Sequence, residues 1–459
     1  MSVLDASTAA VSPEWLLERI PGRGAQDIGR GLESLILSGA LAEGIQLPTI
    51  RALAQAAELS VGTVLTAWNH LRDRGLIDTR RRGGTVVRAP AAATAPRSET
   101  VDWSRYDLQQ GAPDRALQPD LRPALLDSLT ADNLNVFGRE YMTERLRAAV
   151  VPGWPFRAEA WTTAGGGTEA VLLATAACAP PGSRVAVDEP VSPGFLDTLR
   201  DLRLTPVPVA GDEHGPRPDS LGEALAQGVA VFVLQPGAPF APGGAPSAQR
   251  LGELAAVLGR AEHGDVLVVE DDSLGPLAAF EPPTLGDRLP DRVVRVRSYC
   301  KAYGIDVRTS VIGGPQRVVE RAIALRSHGV GSNSRILQNT LAYLVGDAAT
   351  AARVRTAAER YALRTRMLAE ALGRQGLVVH AGPGSVVLWV EVADETDALV
   401  ALASRGALVA GASRAYVARP ARDMIRLSAL QLPEDDEPLF ARLAEAVAEA
   451  ARGRREYFD

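Results

Sequence analysis

The sequence predicts an α/β chain in two parts. A small N-terminal winged helix-turn-helix precedes a large domain with a mainly parallel sheet and a smaller C-terminal α+β domain. Three observations predict this. Residues 24–88 hold three helical segments and then an arginine-rich turn between two short apolar runs. Valine-rich runs (VAVDE, VAVFVLQ, VLVVED, VVRVRS) then alternate with helical stretches, as expected of strands covered on both faces by crossover helices. From about residue 350 the pattern changes to a long helix, AATAARVRTAAERYALRTRMLAEALGRQG, which leads into LVVH, SVVLWVEV and MIRLSAL and a closing helix, FARLAEAVAEAARG.

The elements follow in order. Residues 1–23 read as a loose extension. Ile28, Leu32, Leu35 and Ile36 keep helical spacing until Gly39 and Gly44 break it. A second helix is expected from Arg51 to Ala57. Ser60 is placed to cap a third, with apolar positions Val64, Ala67, Trp68 and Leu71 and an end at Gly75. LIDT and TVVR flank the turn Arg80-Arg81-Arg82-Gly83-Gly84. Such a module sets the start of its recognition helix in the major groove. There Ser60 and Thr63 can bond phosphates or bases, Arg51 a phosphate or a guanine edge, and the wing arginines Arg80, Arg81 and Arg82 the backbone or minor groove. Eight arginines face six acids between Ala25 and Arg88, so arrangement rather than charge points to double-stranded DNA. Residues 89–105, APAAATAPRSETVDWSR, read as a linker. The large domain is expected over 106–349 and the C-terminal domain over 350–459.

Composition narrows the function classes. With 46% hydrophobic and 23% charged residues, the 459-residue chain is globular, not disordered, collagen-like or disulfide-stapled. No apolar run nears the ~20 residues of a membrane span. MSVLDASTAA lacks a secretory pattern, and Cys178 and Cys300 stand far apart without companion ligands. The expectation is a cytoplasmic protein with no membrane partner and no metal site. The net charge of −6 argues against wholesale nucleic-acid coating but not against one basic module.

One composition fact is sharper: Lys301 is the one lysine in the chain, every other strongly basic side chain being arginine. Arginine replaces lysine where only positive charge matters, but not where an amine must lose a proton and form a bond. Lys301 follows a strand in VRVRSYCKAYGIDVRTSVIGGP, with Ser298 and Arg308 close in sequence as phosphate anchors. AGGGTEAVLLATAAC sets glycines at a helix start, where backbone amides and Thr168 can hold a phosphate. VLVVEDD ends a strand with carboxylates, an anion that a pyridinium nitrogen needs.

These residues carry two resemblances. The stretch ILSGALAEGIQLPTIRALAQAAELSVGTVLTAWNHLRDRGLIDTRRRGGTVVRA resembles GntR-family DNA-binding domains, which implies DNA contacts at Arg51, Thr63 and around Gly84. The family usually has an arginine and a polar residue where this chain has Val61 and Gly62. The order of glycine turn, acidic strand end and lysine resembles fold-type I pyridoxal-phosphate aminotransferases. Together with DLQQGAPDRALQPDL, it makes the chain resemble a MocR-type regulator. The resemblance implies that Lys301 is the Schiff-base lysine and that Asp271 pairs with the pyridine nitrogen (Asp272 in the alternative register). It further implies that Gly167, Thr168, Ser298 and Arg308 contact the phosphate, and that Arg426 in MIRLSAL binds an effector carboxylate. A homodimer is implied as well.

The chain also departs from that family. Ala241 stands where an asparagine usually precedes the Pro-x-Gly turn, Ser273 where a tyrosine follows the acidic pair, and Ser192 where an aromatic residue is expected. Phe137 replaces the phosphate-contacting tyrosine of the neighbouring subunit, and Cys300 the serine before the lysine. The covalent and phosphate anchors remain while much of the ring's polar cradle is missing, so the cofactor is expected to be weakly held or lost. The expected function is a transcriptional regulator sensing an amine or amino acid through pyridoxal phosphate. The alternatives are an active aminotransferase with an accessory DNA-binding domain, and a regulator whose pocket takes a non-amine ligand.

Overall fold

The computed structural model describes residues 10–20, 22, 24–37, 40–41, 44–73, 76–80, 84–88, 101–192, 194–327, 329 and 331–453. The chain divides into two compact units, residues 1–100 and 101–459.

In the first unit, helices Pro13–Leu17, Ala25–Leu37, Ile50–Ala56 and Val61–Asp73 pack beside a small antiparallel sheet. Its strands are β1 (Gln46–Leu47), β2 (Ile77–Arg80) and β3 (Gly84–Val87), in the order β1-β3-β2. Leu32, Leu53, Trp68 and Leu71 are fully buried, so the apolar spacing marked the inward faces. Thr49 and Ser60 cap the two helices of the helix-turn-helix, accepting from the backbone N–H of Ala52 (3.2 Å) and Thr63 (3.1 Å). Gly84 has φ +75°, and a Cβ there would lie 2.3 Å from Gln46 Nε2. Only glycine suits this wing position.

The loose extension expected over residues 1–23 needs correction over residues 10–20, while residues 1–9, 21 and 23 lie outside the described residues. Ser12 caps Pro13–Leu17, and Val11, Leu16 and Ile20 are buried in the module's core. A single turn and a half of helix offers too few apolar positions for its period to stand out. β1 was likewise too short to read.

The second unit is built on a seven-stranded sheet. Its strands are β4 (Ala160–Ala164), β5 (Arg184–Asp188), β6 (Thr205–Val209), β9 (Val229–Leu234), β10 (Leu267–Asp272), β11 (Val293–Arg297) and β12 (Ser310–Gly314), with the ribbon β7 (Gly211–Asp212) and β8 (Gly215–Pro216) after β6. The order is β4-β12-β11-β10-β9-β5-β6. Five strands run parallel, while β12 is antiparallel to both its neighbours. Apart from Ala230, every residue of the central strands β9, β10 and β11 is buried, as expected of strands covered on both faces, the charged residues of β10 and β11 included. Pro206 and Pro208 fall on the edge strand β6, where a missing donor is tolerated.

A second, antiparallel sheet holds β13 (Val379–His380), β14 (Leu388–Glu391), β15 (Ala410–Gly411) and β16 (Met424–Leu427), in the order β13-β14-β16-β15. Helix Glu437–Ala451 contributes Leu439, Phe440 and Leu443 to this sheet's core. Helix Ala348–Arg374 serves both cores. Val354, Ala357 and Tyr361 join the large one, while Leu368, Ala371 and Leu372 join the small one. Trp103 and Leu108 are also buried in the small core. Residues 101–108, expected in the linker and the start of the large domain, therefore pack with the C-terminal sheet. The aromatic anchor at Trp103 outweighs the small-residue composition around it. Among the described residues no helix is long and apolar enough to cross a membrane.

Leu16 distinguishes a packed N-terminal turn from a loose one. Leu16→Ala is expected to destabilise the first unit by about 2–5 kcal/mol through a buried cavity. Calorimetry of the full chain would show one transition moving down in temperature. An unchanged thermogram would mean that the extension is not part of the core.

Candidate functional site

β11 runs out at Arg297, and one turn of helix, Cys300–Tyr303, carries Lys301. Lys301 Nζ donates to the carbonyl of Gly111 at 3.1 Å and lies 5.4 Å from the centre of the Phe240 ring. Burial lowers its pKa. Cys300, Asp107 and Asp271 oppose the shift, and Arg426 adds to it. A lysine so placed keeps more of its amine neutral and nucleophilic. It opens onto a cleft of about 730 Å³, also lined by Gln110, Arg115, Gln118, Cys300 and Asp306.

The Gly111 carbonyl is delivered by a tight loop. Asp107 accepts the backbone N–H of Gln109 (3.0 Å), Gln110 (2.9 Å) and Ala112 (2.8 Å). Gly111 takes φ +66°, a left-handed conformation that suits glycine. Sequence reasoning passed over Asp107 and Gly111 as contributors to the site. An aspartate three to five residues ahead of a glycine was the available signal.

After β4, Gly165 and Gly166 lead into helix Gly167–Cys178. Gly166 has φ +124°, and a Cβ there would stand 3.3 Å from Arg308 Nη1. A Cβ on Gly167 would stand 2.9 Å from Ser298 Oγ. Ser298 and Arg308, distant in sequence from the glycines, are thus drawn to one helix start, with Thr168 exposed beside them. These are the donors an anion such as a phosphate requires. The amide of Gly165 is engaged by Glu169 Oε2 at 2.7 Å, and Glu169 also pairs with Arg326. Ser298 Oγ lies 3.2 Å from Cys300 Sγ.

The two aspartates closing β10 differ sharply. Asp272 is enclosed by Arg295 (3.1 Å) and Arg297 (2.7 Å) and accepts from the Gly275 amide. Asp271 accepts from Ser192 Oγ at 3.3 Å, and that hydroxyl lies 2.8 Å from Gln235 Oε1. Burial raises the Asp271 pKa to about 7, with the neighbouring Asp272 charge adding and Ser192 and Lys301 opposing. Asp271 is therefore the carboxylate electrostatically tied to Lys301.

Arg426 lies in β16 opposite Trp389 and Ala410. It is 4% exposed, and its guanidinium sits 5.8 Å from the Trp389 ring centre. Nε has no hydrogen-bond partner among the described residues. Burial lowers its pKa to about 10, opposed by Asp107. A buried guanidinium left so poorly paired is costly unless a ligand supplies the anion.

The departures from the aminotransferase pattern also have places. Phe240, not Ala241, faces Lys301, while Ala241 lines a separate cleft of about 320 Å³ with Asp188, Glu189 and Tyr416. Ser273 Oγ is buried without a hydrogen-bond partner among the described residues. Phe137 is fully exposed.

In the first unit, Arg51 is exposed near the start of helix Ile50–Ala56. Ser60 and Thr63 open the recognition helix Val61–Asp73, their hydroxyls 2.8 Å apart. Arg81 and Arg82 lie outside the described residues, as does the Arg80 side chain.

Comparison with known proteins matches both units. Residues 100–441 fit the family described as aminotransferase class I and II, and residues 24–87 the family of bacterial regulatory proteins, gntR family. The chain is 27% identical to the vitamin B6 salvage pathway transcriptional repressor PtsJ of Salmonella typhimurium over 421 residues, covering 90% of this chain and 96% of that protein. It is 24% identical to the pyridoxine biosynthesis transcriptional regulator PdxR of Corynebacterium glutamicum, covering 82% and 85%. It is 27% identical to the transcriptional regulator TauR of Rhodobacter capsulatus, covering 82% and 86%. Among solved structures, the multiple substrate aminotransferase of Thermococcus profundus superposes with a TM-score of 0.67 at 20% identity, covering 77% of this chain and 93% of that one. An aspartate aminotransferase mutant of Thermus thermophilus gives 0.64 at 21%, covering 75% and 96%. These likenesses bear out the predicted fold. The chain belongs to the class I and II aminotransferase family and joins it to a gntR-family DNA-binding domain, which makes it a transcriptional regulator of the MocR type.

Proposed function

We propose that this regulator binds pyridoxal phosphate at Lys301 and senses an amine or amino acid there. The carrying observation is that the chain's one lysine is part-buried within the electrostatic reach of Asp271 and Arg426, with Ser298, Arg308 and a glycine-opened helix start gathered nearby. Pyridoxal phosphate, when bound, supplies an aldehyde that combines with amines and a ring that withdraws electrons. Ser298, Arg308, Thr168 and the amides at Gly167 would hold its phosphate, and Asp271 would hold the proton on its ring nitrogen. Arg426 would bind the effector's carboxylate. Two of the relatives are named for vitamin B6 salvage and pyridoxine biosynthesis, which supports a B6-derived ligand. Regulation then requires that the effector bind two states of the protein with different affinity.

A homodimer belongs to the same reading. Leu125, Leu126, Leu129, Val136 and Phe137, all within thirteen residues of chain, expose large apolar side chains. We propose that a second copy covers them, which would bring two recognition helices to paired half-sites. Leu126→Glu combined with Phe137→Glu is expected to yield a monomer by light scattering. An unchanged mass would place the interface elsewhere.

Absorbance tests the cofactor. Pyridoxal phosphate added to the protein is expected to give a visible band that Lys301→Ala lacks. Amines that alter the band should also release operator DNA. Identical spectra for the two proteins would refute binding at Lys301.

The pH dependence of stability tests Asp271. Its folded pKa of about 7 stands above its ordinary 3.8, so its ionisation opposes folding. The stability this group contributes is whole below pH 4 and is lost as pH rises through 7. Asp271→Asn is therefore expected to stabilise the ligand-free protein at pH 8 by on the order of 2–4 kcal/mol. It should make little difference near pH 4 and should weaken the visible band. Parallel stability profiles for mutant and wild type would mean that Asp271 is not held in a desolvated site.

A further inference from the structure

Resting on the operator reading, we propose that the recognition helix reads thymine methyl groups in the major groove through Val61 and Leu65. Both side chains stand out from a helix whose Val64, Ala67, Trp68 and Leu71 are fixed in the core. Val61 is 50% and Leu65 42% exposed. Four residues apart, they share one face and are separated by about 6 Å along the helix axis. That span matches roughly two base-pair steps of ~3.4 Å.

The polar groups around them are engaged within the helix. Ser60 Oγ accepts from the Thr63 amide (3.1 Å) and lies 2.8 Å from Thr63 Oγ1. Thr66 Oγ1 donates to the Gly62 carbonyl at 3.0 Å, and Arg72 donates to Asn69 Oδ1 at 3.2 Å. At Gly62 a Cβ would meet nothing closer than Ser60 Oγ at 3.7 Å, so the surface beside Val61 is low and open. A helix start of this kind offers two branched aliphatic side chains and no long donor. Guanine is read by a bidentate arginine or lysine, and adenine by asparagine or glutamine; the thymine methyl is the base-edge group that an apolar side chain matches. DNA is the occupant because the gntR-family match covers this helix and the fold presents its first turn to the groove. Arg51, exposed on the preceding helix, supplies charge without this selectivity.

The test uses the full chain and duplexes selected from a random pool. Each thymine of the selected site is replaced in turn by deoxyuridine, which removes the methyl group and leaves the base pairing intact. Two thymines per half-site are expected to respond, each replacement weakening binding about fourfold, the value of one buried methyl. 5-Methylcytosine at those positions should bind better than cytosine. Val61→Ala should abolish the thymine–uracil difference at one position and Leu65→Ala at the other. Both sites are exposed, and alanine favours helix, so melting should not change. Neither variant should alter the salt dependence, whereas Arg51→Ala should weaken all sequences and lower the salt slope by about one. The proposal is overturned if no thymine responds to loss of its methyl, or if both alanine variants keep the wild-type thymine–uracil ratio. If the chain retains no duplex at any salt concentration, the operator reading itself fails and this proposal with it. Salt-dependent binding that ignores the methyl groups removes the proposal alone.

Discussion

The arrangement at Lys301 depends on a buried ion network between β10 and β11. Arg295 is completely buried and holds both Glu270 (2.9 Å) and Asp272 (3.1 Å), while Arg297 pairs with the same Oδ2 of Asp272 at 2.7 Å. Glu270 and Asp272 alternate with Asp271 along one strand, so committing the outer two to the arginines turns Asp271 to the opposite face. The Asp272 carbonyl also receives the Ser298 amide at 3.0 Å, which carries the pairing past the end of β11 into the turn that presents Lys301. Removing one partner from such a network typically costs 3–5 kcal/mol, because the remaining charge is left buried. The network thus separates two adjacent aspartates chemically and positions the lysine at the same time.

Around Lys301 the balance is reversed. Burial lowers the pKa of Lys301 and of Arg426 and raises that of Asp271. Burial disfavours the charge on each group, and Arg426 Nε has no internal partner among the described residues. The charges of the Asp272 network are paired within the fold, although Arg295 Nε likewise has no hydrogen-bond partner among the described residues. A ligand carrying an anion for Arg426 and a cationic ring nitrogen for Asp271 would lower the energy of both groups, so part of its affinity would come from relieving their desolvation in the free protein.

Much of this was legible in the sequence, for identifiable reasons. The parallel strands announced themselves because strands buried on both faces are rich in valine, and β5, β9, β10 and β11 lie where VAVDE, VAVFVLQ, VLVVED and VVRVRS stand. Lys301 stood out because arginine had replaced every other lysine. β4 and β12 were harder, since AWTTA and SVIGG mix threonine, serine and glycine into a buried position. Two further features depended on contacts across the chain. Trp103 reads as part of a small-residue linker until its burial against a core some 260 residues away is known. Phe240 rather than Ala241 meets Lys301, because the loop after β9 sets which side chain faces inward, and no local pattern encodes that. Asp271 and Asp272 were equivalent in sequence until strand register against Val296 and Arg297 separated them.

The location of Arg426 and Lys301 bears on how a small ligand would alter this protein. Lys301 follows a strand of the seven-stranded sheet, and Arg426 belongs to the four-stranded one. The two cores share the long helix Ala348–Arg374, and Trp389 and Met424 of the four-stranded sheet also pack into the larger core. A ligand joined to Lys301 at one end and to Arg426 at the other would contact both cores at once. Its binding energy would then depend on their separation, which is the differential interaction that a change of state requires. A ligand reaching only Lys301 would lack that dependence, however tightly it bound. An effector of this regulator is therefore expected to combine an amine with a carboxylate, since that pairing spans the two parts of the fold.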